Sequence, residues 1–429
     1  MIGMFQKKIK SLLQNRVAQN AGWIVAGRIA QMVVSLVVGV LTTRYLGPSN
    51  YGLINYAGAY TTFFAAICTL GINSVIVKEF VDNSEREGEI IGTALLLRAI
   101  SSFASAALIV GISSVLDAGE TTTQIVVGLC SVGCIFQIFE LFKYWFQAKL
   151  QSKVTAITTL VAYIITAIYK VILLINGKSV EYFAFATTVD YICVGMVLFV
   201  CYIRHGGQKL CISLQYGKQL LKKSYHFIFP SLMVAVYAQT DKIMLKHMMN
   251  DAEIGYYSTA IALSNMWCFI LSAIIDSLYP PIMEAFSRDK AQFDKKNKML
   301  YAIVFYLAMF VSVFFTILGK PLIALLYGNA YAPAVGPLRI VTWYTAFSYL
   351  GVARNAWIVC MKKQKYLKYI YCSSAIINVV LNFFFIPLWG ASGAAAASLV
   401  TQIATIVIPF FIRELRENSV LMVKAVLFR

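Results

Sequence analysis

Runs of apolar sequence long enough to cross a bilayer as helices recur about twelve times along this chain, separated by short polar stretches. A transmembrane helix needs about 20 predominantly apolar residues, and the runs lie near 20–43, 51–76, 91–115, 124–146, 154–175, 181–203, 219–241, 254–280, 299–319, 334–360, 366–387 and 392–412. Of the 429 residues, 59% are hydrophobic and only 13% charged, with a mean hydropathy of +0.72. A soluble domain is about 45–50% apolar and about 25% charged. The charges here are too few to clothe a globule in water, so the solvent is lipid. The fold expected is an all-α polytopic membrane protein.

The connections test that count. With the N-terminus inside, the tails and every second loop carry 27 of the 37 Lys and Arg residues. The alternate loops carry five, and five more (Arg28, Arg98, Lys170, Arg339 and Arg354) fall within the apolar runs, bases up to four residues inside a run's end being counted with the adjoining connection. Cytoplasmic segments collect positive charge, and a miscounted helix would scramble the alternation. Twelve spans with both termini cytoplasmic is the expectation. The same rule accounts for the formal net charge of +18, so no nucleic-acid partner is inferred. The nine cysteines lie mostly in apolar runs without a C-x-x-C pair, and His205, His226 and His247 are far apart. Neither pattern suggests a metal site or a disulfide frame.

Residues 1–19 interleave Ile2, Phe5, Ile9, Leu12 and Leu13 with Lys7, Lys8, Lys10 and Arg16. That suits either a helix lying on the membrane surface or a plain basic tail. The first apolar run is too long for a cleaved signal peptide and lacks an obvious exit site. An N-lobe of six helices (20–205), a cytoplasmic linker (206–218), a C-lobe of six helices (219–412) and a cytoplasmic tail (413–429) complete the expected organisation. Tyr51-Gly-Leu-Ile-Asn-Tyr-Ala57 aligns with Ile254-Gly-Tyr-Tyr-Ser-Thr-Ala260 after the first helix of each half. Such a parallel repeat implies a pseudo-twofold axis along the membrane normal and a cavity between lobes. Pro230 interrupts helix 7, Pro280-Pro281 end helix 8, and Pro409 lies in helix 12; each is read as static packing or, for Pro230 above all, as a hinge. The run GASGAAAAS from Gly390 suits close helix packing.

Charges inside the runs are costly, by roughly 2.5–3.5 kcal/mol at a helix centre on insertion scales. Arg28 and Arg98 lie deepest among the bases, about 10–12 Å from one end at 1.5 Å per residue. Lys170, Arg339 and Arg354 are near enough to helix ends to snorkel. Asp190, Asp241, Glu140 and Asp276 are the acids in or beside the runs. One reading pairs them internally, Arg28 with Asp190 for example. The other makes the five bases a water-filled cationic cavity for a diphosphate or acidic sugar, arginine being the better phosphate fork. On that reading the four acids, Asp190 and Asp241 above all, are candidate sites for a coupling proton or sodium ion. The sequence does not choose between the ions, and no other cofactor is expected. Most of the 25 Tyr and 28 Phe suit interfacial belts and lipid-facing surface.

Arg44-Tyr-Leu-Gly-Pro-Ser-Asn-Tyr-Gly-Leu and Leu70-Gly-Ile-Asn-Ser resemble the start of bacterial polysaccharide (O-antigen-type) flippases. Gln239-Thr-Asp-Lys-Ile-Met-Leu, Leu325-Leu-Tyr-Gly-Asn-Ala-Tyr and Asn378-Val-Val-Leu-Asn-Phe-Phe-Phe-Ile-Pro-Leu-Trp-Gly-Ala-Ser-Gly-Ala-Ala resemble their second half. These proteins belong to the multidrug/oligosaccharidyl-lipid/polysaccharide superfamily. The resemblance implies two six-helix lobes around a cationic cavity. It also implies alternating-access transfer of an undecaprenyl-diphosphate-linked oligosaccharide, for O-antigen, capsule or exopolysaccharide, from the inner to the outer leaflet. Arg28 matches by position a first-helix arginine with which lipid II flippases hold the diphosphate. Those flippases typically carry two further C-terminal helices, against the twelve expected here. Partners expected are the lipid-linked saccharide, membrane lipid, and polysaccharide polymerase and chain-length proteins. A cation-coupled multidrug exporter of the same superfamily would favour an acidic pocket. A polysaccharide polymerase or ligase would need a large outer loop, whereas the longest outside connection, 319–333, has about 15 residues. The expectation is a secondary transporter and not an enzyme.

Overall fold

Glycine and proline decide where the apolar runs bend. Gly47 takes φ 70° and ψ 173°, a state glycine enters without a Cβ penalty, and the extended ψ accommodates Pro48 behind it. In the computed structural model, which describes residues 16–427 (the backbone alone for 16–26 and Arg28), the first two expected spans form one broken helix, α1 (Arg16–Cys68). The expected surface helix falls almost wholly on residues 1–15, outside the described residues. After a left-handed turn at Gly71 come α2 (Ile76–Asp82) and α3 (Glu87–Leu116). The fourth expected span is α4 (Thr121–Phe136), a 3₁₀ turn over Gln137–Glu140, and α5 (Leu141–Ala148). Then follow α6 (Ser152–Ile175), α7 (Val180–Arg204) and α8 (Leu214–Met248).

Helix 8 of the sequence reading divides into α9 (Asp251–Asn265) and α10 (Cys268–Arg288). It does not stop at Pro280-Pro281, as expected, but runs on to Arg288. Proline's fixed φ is helical, so what each ring forfeits is one backbone bond. Next are α11 (Lys290–Leu326), α12 (Val335–Cys360), α13 (Leu367–Val407) and α14 (Arg416–Val426). Helix α13 carries both of the last expected spans, divided at Gly390 (φ 53°, ψ −129°). There the Glu253 carboxylate accepts from the Ala391 N–H at 2.6 Å, an acid at a helix start where its charge is favourable.

The described residues hold helices, turns and short irregular connections, with no strand among them. Eight stretches are long and apolar enough to cross a membrane, among them the two broken helices with two spans' worth of sequence each. Helices α8 and α12 are long enough but more polar, carrying Asp241 and Lys242, and Arg339 and Arg354. The protein is a multi-pass membrane protein.

Two compact units form. The first contains residues 57–235 with the chain up to Tyr45, and the second contains 236–429 with Leu46–Tyr56. The core of the first gathers Ile76, Phe80, Phe142, Trp145, Phe146 and Tyr202, the aromatic rings meeting edge-on or tilted. After a turn at His205-Gly206, residues 207–213 run without regular secondary structure as a strap fastened to the start of α3. Cys211 N–H donates to the Gly88 carbonyl at 3.1 Å, and Ser213 N–H to Thr93 Oγ1 at 3.0 Å. A Cβ on Gly88 or Gly92 would come within 2.1 or 2.2 Å of strap carbonyl oxygens, so both positions require glycine. The second unit packs Leu271, Phe293, Tyr301, Trp357 and Met422. Its terminal helix α14 folds back on α11, Asn418 Nδ2 donating to Tyr301 Oη at 2.7 Å.

The register of the internal repeat acquires a physical meaning in the second unit. A Cβ at Gly52 would meet the Asp251 carbonyl, and a Cβ at Gly255 would meet the Pro48 carbonyl. The alignment equates 48 with 251 and 52 with 255, so the contact is reciprocal, as a local twofold requires.

Candidate functional site

Helix α6 is apolar to a casual reading, yet its polar residues recur at Ser152, Thr155, Thr159, Tyr163, Thr166 and Lys170. Steps of three and four residues put them on one face of a helix. From first to last the stripe climbs about 27 Å at 1.5 Å per residue, close to the ~30 Å hydrocarbon thickness. The opposite face shows Val161, Ile164, Ile168 and Ile172 to the surroundings.

Two cavities of the first unit open along this stripe. The larger, about 510 Å³, is lined by Gln31, Lys143, Gln147, Thr155 and Thr159, among others. The smaller, about 150 Å³, is lined by Ser35, Thr166, Thr187 and Lys170. Tyr163 and Asp190 border both. Thr166 Oγ1 donates to Asp190 Oδ1 at 3.4 Å. Glu140 and Lys143 form an ion pair of 2.5 Å at the wall of the larger cavity. The 3₁₀ turn before α5 positions them, and a 3₁₀ stretch inside a helix often marks a hinge or strain.

The same turn occupies Arg98. That side chain is wholly buried, with Nη2 donating to the Gln137 carbonyl at 3.2 Å and Nη1 to Asn73 Oδ1 at 3.4 Å. Arg354, in the second unit, is also buried, and its Nη1 donates to the Thr405 carbonyl at 2.8 Å. Both arginines sit among packed helices and line neither cavity. Arg339 and Asp276 are exposed on α12 and α10. Of the five expected bases, only Lys170 is seen on a cavity wall, and the Arg28 side chain lies outside the described residues. The described lining of the two cavities is balanced, Lys143 and Lys170 against Glu140 and Asp190. Pro230 stands within α8, which is assigned as one helix across it.

Asp241 has a different setting. It is 2% exposed and accepts from Asn382 Nδ2 at 2.6 Å, Ser398 Oγ at 2.6 Å and the Tyr257 hydroxyl. Asn382 Nδ2 also donates to Asn378 Oδ1 at 3.1 Å. Helices α8, α9 and both segments of α13 thus meet at one carboxylate held by neutral donors. The charged group coupled to it is Lys242, next in the chain; a buried carboxylate is expensive to ionise, and a bound proton or small cation lowers that cost.

Sequence reasoning placed Lys143 in a connection and gave Asn378, Asn382, Tyr257 and Ser398 no role. The available signals were the three-residue spacing of Glu140 and Lys143, and two amides one turn apart in an apolar helix.

A family model described as "Polysaccharide biosynthesis protein" matches residues 17–286. The chain belongs to that family. Relatives agree. It is 20% identical over 397 residues to the capsular polysaccharide biosynthesis protein CapF of Staphylococcus aureus, covering 91% of this chain and 97% of that one. It is 22% identical over 194 residues, 44% of each chain, to a putative O-antigen transporter of Salmonella typhimurium strain LT2. Among solved structures, the lipid II flippase MurJ in an inward closed conformation superposes with a TM-score of 0.71 at 15% identity, covering 94% of this chain and 91% of that one. Members of the family thus share a fold with a lipid flippase.

Proposed function

We propose that this protein moves an undecaprenyl-diphosphate-linked oligosaccharide, a precursor of O-antigen, capsule or exopolysaccharide, from the cytoplasmic to the outer leaflet of the bacterial inner membrane. The observation that carries the reading is the polar stripe of α6, nearly as long as the ~30 Å hydrocarbon layer is thick, which faces two cavities that share Tyr163 and Asp190 as lining. A hydrated sugar-diphosphate head cannot cross about 30 Å of hydrocarbon unaided. A helix that offers hydroxyl groups at every turn gives the head successive partners while the prenyl tail stays in lipid. No covalent bond need form or break, so the protein acts as a secondary transporter. Arg28, on the α1 segment that contributes Gln31, is the candidate diphosphate anchor that the family resemblance implies.

Asp241 is the proposed coupling site, alternately occupied by a proton or sodium ion as the lobes rearrange. Its hydrogen-bond donors are all neutral, with Lys242 the charged neighbour in the chain, and an intramembrane carboxylate in such a setting suits a site that binds and releases a small cation. Asp190, paired with Thr166 beside Lys170, is the second candidate.

The test is a leaflet assay in cells lacking the protein, with the undecaprenyl-linked oligosaccharide labelled. Accumulation on the cytoplasmic face, relieved by re-expression, is expected. Accumulation on the outer face would assign the protein to a later polymerising or ligating step, and absence of accumulation would favour a drug exporter.

A further inference from the structure

The larger cavity of the first unit has the chemistry of a sugar site and not of a phosphate site. Its described charges are Glu140, Asp190 and Lys143, and the lysine is already committed to Glu140 at 2.5 Å. A diphosphate entering here would meet two carboxylates and no uncommitted cation among the described lining residues. The remaining groups suit hydroxyls. Gln31 and Gln147 both donate and accept, the carboxylates accept, and Thr155 Oγ1 is buried with no hydrogen-bond partner. Each hydroxyl of a pyranose is likewise donor and acceptor. Tyr144, Tyr163 and Tyr191 also line the wall, and a tyrosine ring can stack on the C–H side of a sugar. At about 510 Å³ the cavity falls in the usual range for ligand sites, roughly 300–1,000 Å³, with room for a mono- or disaccharide.

We propose that this cavity is a subsite for an uncharged sugar residue of the lipid-linked saccharide, with the diphosphate held outside it. The proposal rests on the flippase reading and adds the sugar class. Specificity follows from charge. A uronic acid brought into the cavity faces Glu140 and Asp190, and like charges at close range discriminate strongly. The Glu140–Lys143 pair is then a selectivity device, since the lysine is kept from anions by its neighbour.

The test uses the full chain in lipid nanodiscs and four probes: farnesyl diphosphate alone, and farnesyl diphosphate linked to glucose, N-acetylglucosamine or glucuronate. At least one neutral-sugar probe should bind about tenfold or more tighter than the bare diphosphate, because hydrogen bonds to sugar hydroxyls discriminate by large factors when a site is built for them. The glucuronate probe should show no such gain. Gln147→Ala and Thr155→Val should bring the ratio of sugar-linked to bare affinity close to one. Glu140→Gln, which frees Lys143, should raise the affinity for the glucuronate probe about tenfold, a gain that misfolding cannot mimic. Equal binding of all four probes, or a gain for glucuronate alone in the unaltered protein, would overturn the subsite while leaving the flippase reading standing. Failure of every probe to bind would overturn both.

Discussion

Asp241 isolates the question of ion coupling in one side chain. Asparagine has nearly the same shape and keeps acceptor capacity for Tyr257 and Ser398, while removing a buried charge that costs stability when uncompensated. Asp241→Asn should therefore fold with stability within about 1 kcal/mol of the parent, as expected for a near-isosteric change. It should also lose the dependence of transport on a proton or sodium gradient, read as saccharide transfer in vesicles under imposed gradients; retention of that dependence would exclude Asp241 as the coupling site. Arg98 and Arg354 should behave in the opposite sense. Each donates to a buried backbone carbonyl, and Arg98→Ala or Arg354→Ala leaves that acceptor unpaired, a loss of about 1–3 kcal/mol. Thermal unfolding in detergent should show it. The sequence marked Arg98 and Arg354 as charges within apolar runs and Asp241 as an acid at the end of one, since charge against an apolar background is visible in one dimension. It did not separate a cavity group from a packed one, because the partners Gln137, Thr405, Asn382 and Ser398 are far away along the chain.

At the scale of elements, α6 and the strap make separate predictions. Thr159→Val dries the middle of the polar stripe and should lower transfer by about tenfold, roughly the effect of removing one hydrogen-bonding group from a translocating head. Ile168→Val on the opposite, exposed face should change it little, and unfolding temperature should be similar in both. The stripe was legible as a spacing of three and four residues, but serine and threonine in a membrane helix draw no attention without the cavities they face. The strap over Gly88 and Gly92 was harder to read. Gly-Glu-Ile-Ile-Gly has the spacing of a helix–helix contact motif, yet it receives the irregular chain of 207–213. Gly88→Ala should push a Cβ into the Lys209 carbonyl and loosen the strap, measured as faster alkylation of Cys211, the exposed cysteine. An unchanged alkylation rate would mean the strap does not depend on that glycine. At Gly47 and Gly390 the sequence showed breaks and the structure shows sharply bent helices, because a single positive-φ residue redirects the chain without a loop.

For the whole molecule, the proposed orientation has a direct test on the same thiol. With the Lys- and Arg-rich connections cytoplasmic, a membrane-impermeant maleimide should label Cys211 in inverted vesicles and leave it unlabelled in intact cells. Labelling from outside would reverse the topology and the direction of transfer with it. The transmembrane character and the number of expected spans came from the sequence alone, because transfer free energy and loop charge add up locally and need no knowledge of contacts. The repeat register came partly from it, through Gly52 and Gly255, whose reciprocal contact explains why neither can carry a side chain. What only the tertiary structure decided was which charges are answered and by what: Arg98 and Arg354 by backbone carbonyls, Lys143 by Glu140, Asp241 by neutral donors. A buried charge is stable or reactive according to the groups within about 4 Å of it, and those neighbours are assembled from helices that the sequence sets far apart.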